Sequence, residues 1–531
     1  MESAGSAAPQ QVEHEERMAR LERLLINKIS SLSLTRPEML RSVAAAQPLQ
    51  FFGRALRGDA SQDLHGLSRP TQEVAQFWSH SWHGKTWRKI MLLIYMYSGH
   101  VAMISSLIVA LIFLFLASFQ VLPSYDLEYL RQGGNRHDGP FIPWCAGSGL
   151  VTFLLVFFLW RPQKEVFVDR ICIHQHETRL KTEGILNVGG ILKNSKSMLV
   201  LFDSSYAQRL WCIYELAAFL KAHEGEERAL IVRPTALAPG LCISFWTIVL
   251  FSVLVTAIPA DNKMVAWGLI VVAVILVTFW VSWALRIFYR ELKEVEAILK
   301  DCKVSQCRCY CCDVNHVHPT TKSAMEICDR EILLRGITMW FGSVETFEQM
   351  VSSKVSTALM EQLGINTFPY SWMLVLGCPF CWNNMDRIVA NVLAEDYKTV
   401  LELSCLTVVG WLCIAPVFIR CAMIACRRLS DRQSSRCRDL LATAACGLSP
   451  VPAVLTFGVA QVSLNQGIPY YGVVIYMVLS LIATALVWTY LLNPTATKAK
   501  PAPSAQVLGH VSSAGVLEEL PVPTESRPMS L

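Results

Sequence analysis

The sequence predicts a membrane protein with seven or eight transmembrane helices and, on its cytoplasmic side, an α/β domain built on a parallel sheet. Of its 531 residues 53% are hydrophobic and only 17% are charged, whereas about 25% of a soluble globular chain is charged. Apolar runs long enough to cross a membrane recur, and between two of them short β-rich runs alternate with helical runs. The formal net charge of +5 and this composition exclude a purely soluble enzyme, a disordered chain and a nucleic-acid binder that depends on many basic side chains.

The first 70 residues are predicted to be a polar N-terminal region with one short amphipathic helix at residues 15–29. Apolar side chains recur there every three or four residues, the spacing of one helix face. They are Met18, Leu21, Leu25 and Ile29. Residues 1–34 lack a positively charged start followed by an apolar run, so we expect the first membrane helix to act as the targeting signal.

Seven apolar stretches are long enough to cross the hydrocarbon core of a membrane, which takes about 20 helical residues. They are residues 101–122, 141–160, 241–260, 264–288, 400–425, 440–464 and 470–492. Short loops join the first two and the next two, which predicts membrane hairpins within residues 89–160 and 238–288. The other three belong to a C-terminal membrane region at residues 368–492, so the lipid membrane is the first expected partner.

Basic residues predict which segments face the cytoplasm, because Lys and Arg that flank membrane helices stay on that side. Such residues are frequent at 161–239 and 289–366 and also occur in the C-terminal tail at 493–531. We therefore expect both termini to be cytoplasmic, which requires an eighth crossing, and residues 368–382 are the candidate for it. The tail is rich in Pro, Ser, Ala and Thr and is predicted to be disordered.

Strand-like and helix-like runs alternate between the second and third predicted membrane helices. The strand candidates are residues 166–168, 198–202 and 230–232, with a further one at residues 74–78 before the first hairpin. Short β-rich runs separated by helices are typical of a parallel sheet. We therefore predict an α/β domain from residues 74–88 and 161–237, with the first membrane hairpin inserted into it.

Polar residues follow the predicted strands and mark a candidate ligand site. Asp169 closes one strand, Asp203 closes another, and Ser79 ends the strand that precedes the first hairpin. Open parallel sheets bind ligands beyond the carboxyl ends of their strands. We therefore expect these three side chains to lie at one rim of the sheet.

A carboxylate and an aromatic residue share one stripe of the next helix. Glu215 comes four residues after Trp211 and three after Cys212, and side chains at these spacings are neighbours. Glu215 lies about 200° around the helix from Ile213, so we predict that it points away from the buried face. A functional site here competes with a solvated glutamate beside a packed tryptophan.

Residues 202–216 read Phe-Asp-Ser-Ser-Tyr-Ala-Gln-Arg-Leu-Trp-Cys-Ile-Tyr-Glu-Leu. This run resembles the strand, Ser-x-x-Tyr loop and Trp-Cys-x-x-Glu-Leu helix of Toll/interleukin-1 receptor (TIR) domains. Residues 166–169, 190–195 and 77–80 are similar to other parts of that family. Residues 167–175 are also similar to the signature of fungal heterokaryon-incompatibility (HET) domains.

The resemblance implies a flavodoxin-like five-stranded parallel sheet that serves either TIR-to-TIR assembly in signalling or cleavage of NAD. In the enzymatic members the glutamate of the Trp-Cys-x-x-Glu helix is catalytic, which implies that role for Glu215. A carboxylate can stabilise an oxocarbenium-like ribose as nicotinamide leaves. The implied rim that binds NAD or a partner consists of Ser79, Asp169, Asp203, Trp211 and Cys212.

Three functions follow as alternatives. The first is signalling or protein assembly at the membrane surface, with other TIR-like domains as partners. The second is an NAD glycohydrolase that needs no cofactor beyond its substrate. The third is a channel or transporter in which the TIR-like domain is regulatory.

A dense group of cysteines and histidines lies in a predicted cytoplasmic helical module at residues 289–367. The candidate metal ligands are Cys307, Cys309, Cys311, Cys312, His316, His318 and Cys328. Thiolate and imidazole ligands at this density can hold a tetrahedral zinc and fold a small module. One alternative is palmitoylation, because the group begins only about 14 residues beyond a predicted membrane helix, and the other is that neither metal nor lipid is bound. The other cysteines scatter through apolar stretches, which indicates reduced, intracellular thiols.

Overall fold

The computed structural model describes residues 7–57, 63–125, 142–224, 229–257, 263–301, 303–317, 328–355, 368–449, 470–486 and 488. Its strands are β1 (Arg41–Ala44), β2 (Arg69–Pro70), β3 (Gln76–His80), β4 (Glu165–Phe167), β5 (Met198–Phe202) and β6 (Leu230–Pro234). The tail at 493–531 and most of the predicted crossing at 440–464 lie outside the described residues.

The helices of the first half are α1 (Ala7–Ser30), α2 (Ala46–Gly53), α3 (Thr86–Ser118), α4 (Trp144–Leu159), α5 (Asp169–Cys172), α6 (Thr178–Leu186), α7 (Val188–Lys193), α8 (Leu210–Ala222) and α9 (Leu237–Ala257). Those of the second half are α10 (Lys263–Lys300), α11 (Tyr310–Asp313), α12 (Asp329–Phe341), α13 (Val344–Met350), α14 (Tyr370–Leu393), α15 (Tyr397–Val409), α16 (Ala415–Arg428), α17 (Arg436–Leu448) and α18 (Tyr470–Leu486). A π-helical turn, Gly410–Ile414, joins α15 to α16.

One mixed sheet of six strands organises the α/β part, in the order β2-β1-β4-β3-β5-β6. β3 lies between β4 and β5 and pairs parallel with both, so Phe77 is opposite Phe167 on one side and Met198 on the other. β6 continues the parallel part beside β5, while β1 runs antiparallel to both β4 and β2. The predicted pairing of residues 74–78 with the strands at 166–168 and 198–202 is confirmed. The expected all-parallel, five-stranded sheet is wrong.

The N-terminal region explains the extra strands. Residues 41–44 and 69–70 were predicted only as part of a polar N-terminal region, yet they add an antiparallel edge to the sheet. The predicted amphipathic helix lies within α1, where Ile26 and Ile29 are buried. α1 packs against α12, and Nε1 of Trp340 donates a 2.8 Å hydrogen bond to the carbonyl of Ser30. Two-residue strands carry almost no periodicity, which is why the sequence did not predict this edge.

The prediction of seven or eight transmembrane helices is wrong. Among the described residues, two helices are long and apolar enough to cross a membrane, Thr86–Ser118 and Tyr397–Arg428. Other apolar runs form shorter helices such as Trp144–Leu159, whose 16 residues extend about 24 Å at ~1.5 Å per residue. The candidate eighth crossing lies in α14, whose buried residues include Asn383 and Asp386. Apolar composition therefore reflects helices packed on one another as much as contact with lipid.

Packing between the apolar helices is close and specific. Gly149 of α4 faces Trp382 of α14, and a Cβ at this glycine would lie only 2.6 Å from the indole. The Asp386 carboxylate accepts hydrogen bonds from the backbone N–H groups of Cys145 (2.7 Å) and Ala146 (2.9 Å), which satisfies otherwise unpaired donors at the start of α4.

Helix α3 joins the two parts of the molecule. It begins six residues after β3 ends, and its first turns are buried, including Lys89, Leu92 and Leu93. Further along, large apolar side chains such as Ile104 and Phe115 are exposed. Its 33 residues extend about 50 Å, whereas a hydrocarbon core needs about 30 Å. The two apolar helices of membrane-spanning length point to membrane association, and α3 has length to spare for contact with the sheet.

Candidate functional site

The candidate site lies where the parallel strands β3, β4 and β5 end. Ser79 and His80 close β3, Asp169 comes two residues after β4, and Asp203 follows β5 directly. The next loop carries Tyr206 over the same strand ends. The strand order therefore gathers polar side chains from three segments, of which the first and last, at Ser79 and Asp203, are more than a hundred residues apart, as expected for the carboxyl edge of a parallel sheet.

The centre of the site is a hydrogen-bonded chain of three side chains. Oγ of Ser79 donates to Oε2 of Glu215 at 2.5 Å and also lies 2.8 Å from the hydroxyl of Tyr206. The Tyr206 hydroxyl lies 3.3 Å from the backbone carbonyl of Cys212, to which it can donate. Ser79 and Tyr206 are almost fully buried. A buried network of this kind fixes the geometry of each member, because an unpaired polar group in such a place is costly.

Glu215 is half-buried and its carboxyl group is turned to the strand ends by the hydrogen bond to Ser79, contrary to the expectation from the helical wheel. Helix α8 contacts β3, α7 and α12, so more than one of its faces is covered. Burial raises the pKa of Glu215 to about 8, against the opposing effect of the Ser79 hydrogen bond. The nearby Asp169 carboxylate raises it further, whereas Arg209 lowers it. The side chain is therefore largely protonated at neutral pH.

A second part of the site joins Asp203 to the start of α3. Oδ1 of Asp203 accepts hydrogen bonds from the backbone N–H (2.9 Å) and the hydroxyl (2.5 Å) of Ser205. A Cβ at Gly84 would lie 1.8 Å from Oδ2 of Asp203 and 3.2 Å from Cε of Lys89. Any larger residue at position 84 would therefore have to displace the Asp203 carboxylate. The ammonium of Lys89 donates to the carbonyl of Ser81.

His80 is another enclosed titratable group beside these acids. Its side chain is 6% exposed and packs edge-on against Trp82 at 4.6 Å. Burial lowers its pKa to about 4, although Asp169 and Asp203 act in the opposite direction. Within the described part of the chain, Nε2 of His80 and Oδ2 of Asp203 have no hydrogen-bond partner. Unpaired buried groups are uncommon in folded proteins and indicate a place where a ligand or solvent can bind.

The remaining residues predicted for the rim occupy separate positions. Nε1 of Trp82 donates to Oδ2 of Asp169 at 3.0 Å, and the backbone N–H of Arg170 donates to Oδ1 at 2.7 Å. The thiol of Cys212 is buried and donates to the carbonyl of His80 at 3.8 Å. Trp211 is half-buried and faces Asp329 of α12, which it contacts through a side-chain hydrogen bond. Trp211 therefore belongs to the contact between α8 and the module predicted at residues 289–367, which we call the cysteine-rich module.

Four of the predicted metal ligands lie together in that module. The thiol sulfur of Cys311 is 3.9 Å from that of Cys312 and 3.8 Å from that of Cys328, while the Cys312 and Cys328 sulfurs are 3.7 Å apart. Cys309 adds a sulfur 3.4 Å from that of Cys311. His316 offers a ring nitrogen within 4.8 Å of the Cys311 and Cys328 sulfurs. We call Cys309, Cys311, Cys312 and Cys328 the thiol cluster, and it is able to bind a metal ion.

Of the three predicted ligands outside the thiol cluster, His316 lies next to it, whereas Cys307 and His318 are not placed there. The Cys307 thiol donates to the carbonyls of Ala207, at 3.4 Å, and Lys303, at 3.6 Å. His318 lies outside the described residues. Cys307 was included because of its sequence spacing alone, and the backbone instead turns its side chain toward the α/β domain.

Comparisons with protein-family models, with curated proteins and with solved structures find no match for this chain.

Three residues that build the site, Tyr206, His80 and Lys89, were not predicted as site residues from the sequence. Tyr206 belongs to the Ser-x-x-Tyr loop and was named only as part of that pattern. His80 lay beyond the strand predicted at residues 74–78, although β3 extends to include it. Lys89 sits in the first turns of an apolar helix, where the surrounding hydrophobicity gave no signal of a role beside Asp203.

The raised pKa of Glu215 predicts how the stability of the fold depends on pH. An unfolded glutamate has its usual pKa of 4.5, and the folded one about 8. Between these values the folded state binds more protons, so its contribution to stability falls as the pH rises from about 5 to 8. We expect Glu215→Gln, which is neutral at every pH, to lose this dependence in thermal unfolding of the full-length protein. The exposed Glu224 provides the control Glu224→Gln, and equal slopes for wild type and Glu215→Gln would contradict the prediction.

Proposed function

We propose that this chain is a membrane-associated signalling protein in which the state of the site at the strand ends is passed to α3. The observation that carries the proposal is the short connection between them. Ser79 and His80 end the strand that leads into α3, and only residues 81–85 intervene. The same helix is one of the two with membrane-spanning length.

Contacts on both sides of this connection support coupling. Lys89 holds the carbonyl of Ser81 and lies beside Asp203, so its position depends on charges at the ends of β3 and β5. A ligand that binds Asp203 or His80 changes the balance of charge around Lys89, and with it the position of the first turns of α3. The ligand shifts the equilibrium between two positions of the first turns of α3 only by as much as its affinity differs between those positions.

The side of the membrane and the partners are part of the same proposal. We assign the α/β domain and the cysteine-rich module to the cytoplasm because basic residues are frequent in these segments. The cysteines of the described residues are all free thiols, which suits a reducing compartment. The resemblance to TIR domains supports other TIR-like domains as partners in assembly.

Cleavage of NAD is the second candidate, favoured by the geometry of Glu215. Its carboxyl group is bound to Ser79 at the strand ends, in a position equivalent by motif to the catalytic glutamate of enzymatic TIR domains. The nicotinamide ring of NAD is cationic. Its approach would lower the raised pKa of Glu215, so that the carboxylate forms when the substrate is in place and then stabilises the developing positive charge on ribose.

For the thiol cluster we propose zinc. A tetrahedral zinc with Zn–S distances of about 2.3 Å needs sulfur atoms about 3.8 Å apart. The three separations among Cys311, Cys312 and Cys328 are 3.7 to 3.9 Å. These sulfurs form one face of the tetrahedron, and Cys309 or His316 provides the fourth ligand. Burial raises the pKa of the Cys312 thiol, but hydrogen bonds, among them one from Arg330, outweigh this and lower it. A lowered pKa favours the thiolate, which is the form that binds metal.

One set of nanodisc samples of the full-length protein tests the first two proposals. Asp203→Asn removes the negative charge beside Lys89, so we expect amide hydrogen exchange in residues 86–93 to become about tenfold faster. β6, on the far side of β5, should not change. In wild type with added NAD, we expect nicotinamide to be released faster than from Glu215→Ala.

Asp431→Asn is the matched control, because Asp431 is exposed and lies far along the chain. Unchanged exchange in residues 86–93 of Asp203→Asn would contradict the coupling. Equal release of nicotinamide by wild type and Glu215→Ala would contradict NAD cleavage and leave the coupling intact.

Zinc content tests the third proposal. We expect about one zinc per chain in the full-length protein purified without chelators, and we expect Cys311→Ser and Cys328→Ser to lose it. Cys437→Ser is the control, since Cys437 is exposed and outside the thiol cluster. A folded wild-type protein without metal, or one with fatty-acyl thioesters on these cysteines, would overturn the assignment.

A further inference from the structure

The cysteine-rich module contacts the part of the α/β domain that carries Glu215. Backbone hydrogen bonds connect Arg308 to the residues on either side of Arg209. The N–H of Arg308 donates to the carbonyl of Gln208 at 2.7 Å, and the N–H of Leu210 donates to the carbonyl of Arg308 at 3.1 Å. Together they form a parallel β-bridge. The bridge lies between Tyr206 and the first turn of α8, which are two walls of the Glu215 site.

A second contact holds the same turn from the other side of the module. Asp329, at the start of α12, lies beside Trp211 in the first turn of α8, and the ring of Tyr214 packs against that of Trp340 of α12 at 5.4 Å. The first turn of α8 is therefore held at two points, by Arg308 through its backbone and by Asp329 through its side chain. Glu215 lies one turn further along the same helix, so its position relative to Ser79 depends on how this turn is held.

Each of these holding residues is next to a member of the thiol cluster. Arg308 precedes Cys309, and Asp329 follows Cys328. The sulfur atoms of Cys309 and Cys328 both contact that of Cys311, at 3.4 and 3.8 Å. The segment before the thiol cluster is held as well, since Arg330 donates to the carbonyls of Ser305 (2.7 Å) and Cys307 (2.6 Å).

We infer that a metal ion bound at the thiol cluster positions Glu215 against Ser79, because it fixes the two segments that hold the first turn of α8. We call this dependence of the Glu215 position on the metal the latch. Thiols at these distances attract one another only weakly, whereas a metal ion bonded to Cys311, Cys312 and Cys328 joins the two segments firmly. Loss of the metal frees Arg308 and Asp329 to move apart, and the turn that both hold loosens. The inference rests on the proposed zinc site and on the proposed role of Glu215. It adds that the state of one controls the other.

Hydrogen exchange of the full-length protein in nanodiscs tests the latch. Zinc is removed with a chelator and its content is measured in the same sample, before exchange in residues 206–216 is compared with exchange in β6. We expect removal to speed exchange in residues 206–216 by at least tenfold and to leave β6 unchanged. Re-addition of zinc should restore the slow rate. The variant Cys328→Ser should behave like the chelated protein even when zinc is present.

Two further variants separate positioning from general loss of structure. Cys328→His keeps a zinc ligand, so it should retain metal and restore slow exchange, whereas Cys437→Ser should match wild type throughout. Metal that binds and is removed without any change in residues 206–216 would overturn the latch and leave the zinc site standing. A protein that never contains metal overturns both. Nicotinamide release reports on Glu215 separately, so a negative result there leaves the exchange result interpretable.

Discussion

The parallel pairing of β3 between β4 and β5 is the constraint on which the rest of the structure depends. It places Ser79, which comes before the first apolar helix, beside residues that come after the second one. The hydrogen bond from Ser79 to Glu215 spans 136 positions of the chain. Without that pairing the polar residues at the three strand ends would have no common edge, and α3 would have no fixed relation to them.

The same pairing sets the relation between the polar site and the apolar helices. α3 leaves the sheet edge at once, buries Lys89 beside Asp203, and then exposes apolar side chains over its later turns. The cysteine-rich module contacts the site from the opposite direction, through Arg308 and Asp329 at the first turn of α8. The Glu215 site therefore lies between an apolar helix and a group of thiols. The apolar helix α3 follows the strand that carries Ser79, and the cysteine-rich module contacts the helix that carries Glu215.

How much could be predicted from the sequence depended on how local the signal was. Runs such as Met198–Phe202 are apolar, short and bounded by polar residues, so β5 and its neighbours were predictable. The edge strands β1 and β2 were not, because four and two residues carry too little pattern. The predicted crossings failed for a different reason, since hydropathy does not distinguish a helix facing lipid from one packed among other helices. In α14, the buried Asp386 that caps α4 shows that its neighbours are protein.

The site shows the same division. The grouping of Ser79 with Glu215 followed from strand order and motif, but the burial of Glu215 did not, because the helical wheel considers only one packed face. The hydrogen bond that turns its carboxyl group to the strand ends comes from Ser79, which lies 136 residues away in the chain. The contact between Ser79 and Glu215 is tested most directly by a double-mutant cycle on Ser79→Ala and Glu215→Ala, measured by chemical unfolding of the full-length protein in detergent. A hydrogen bond between the two side chains predicts a coupling free energy of about 1 kcal/mol or more between the two positions, and additive effects of the two substitutions would contradict this contact.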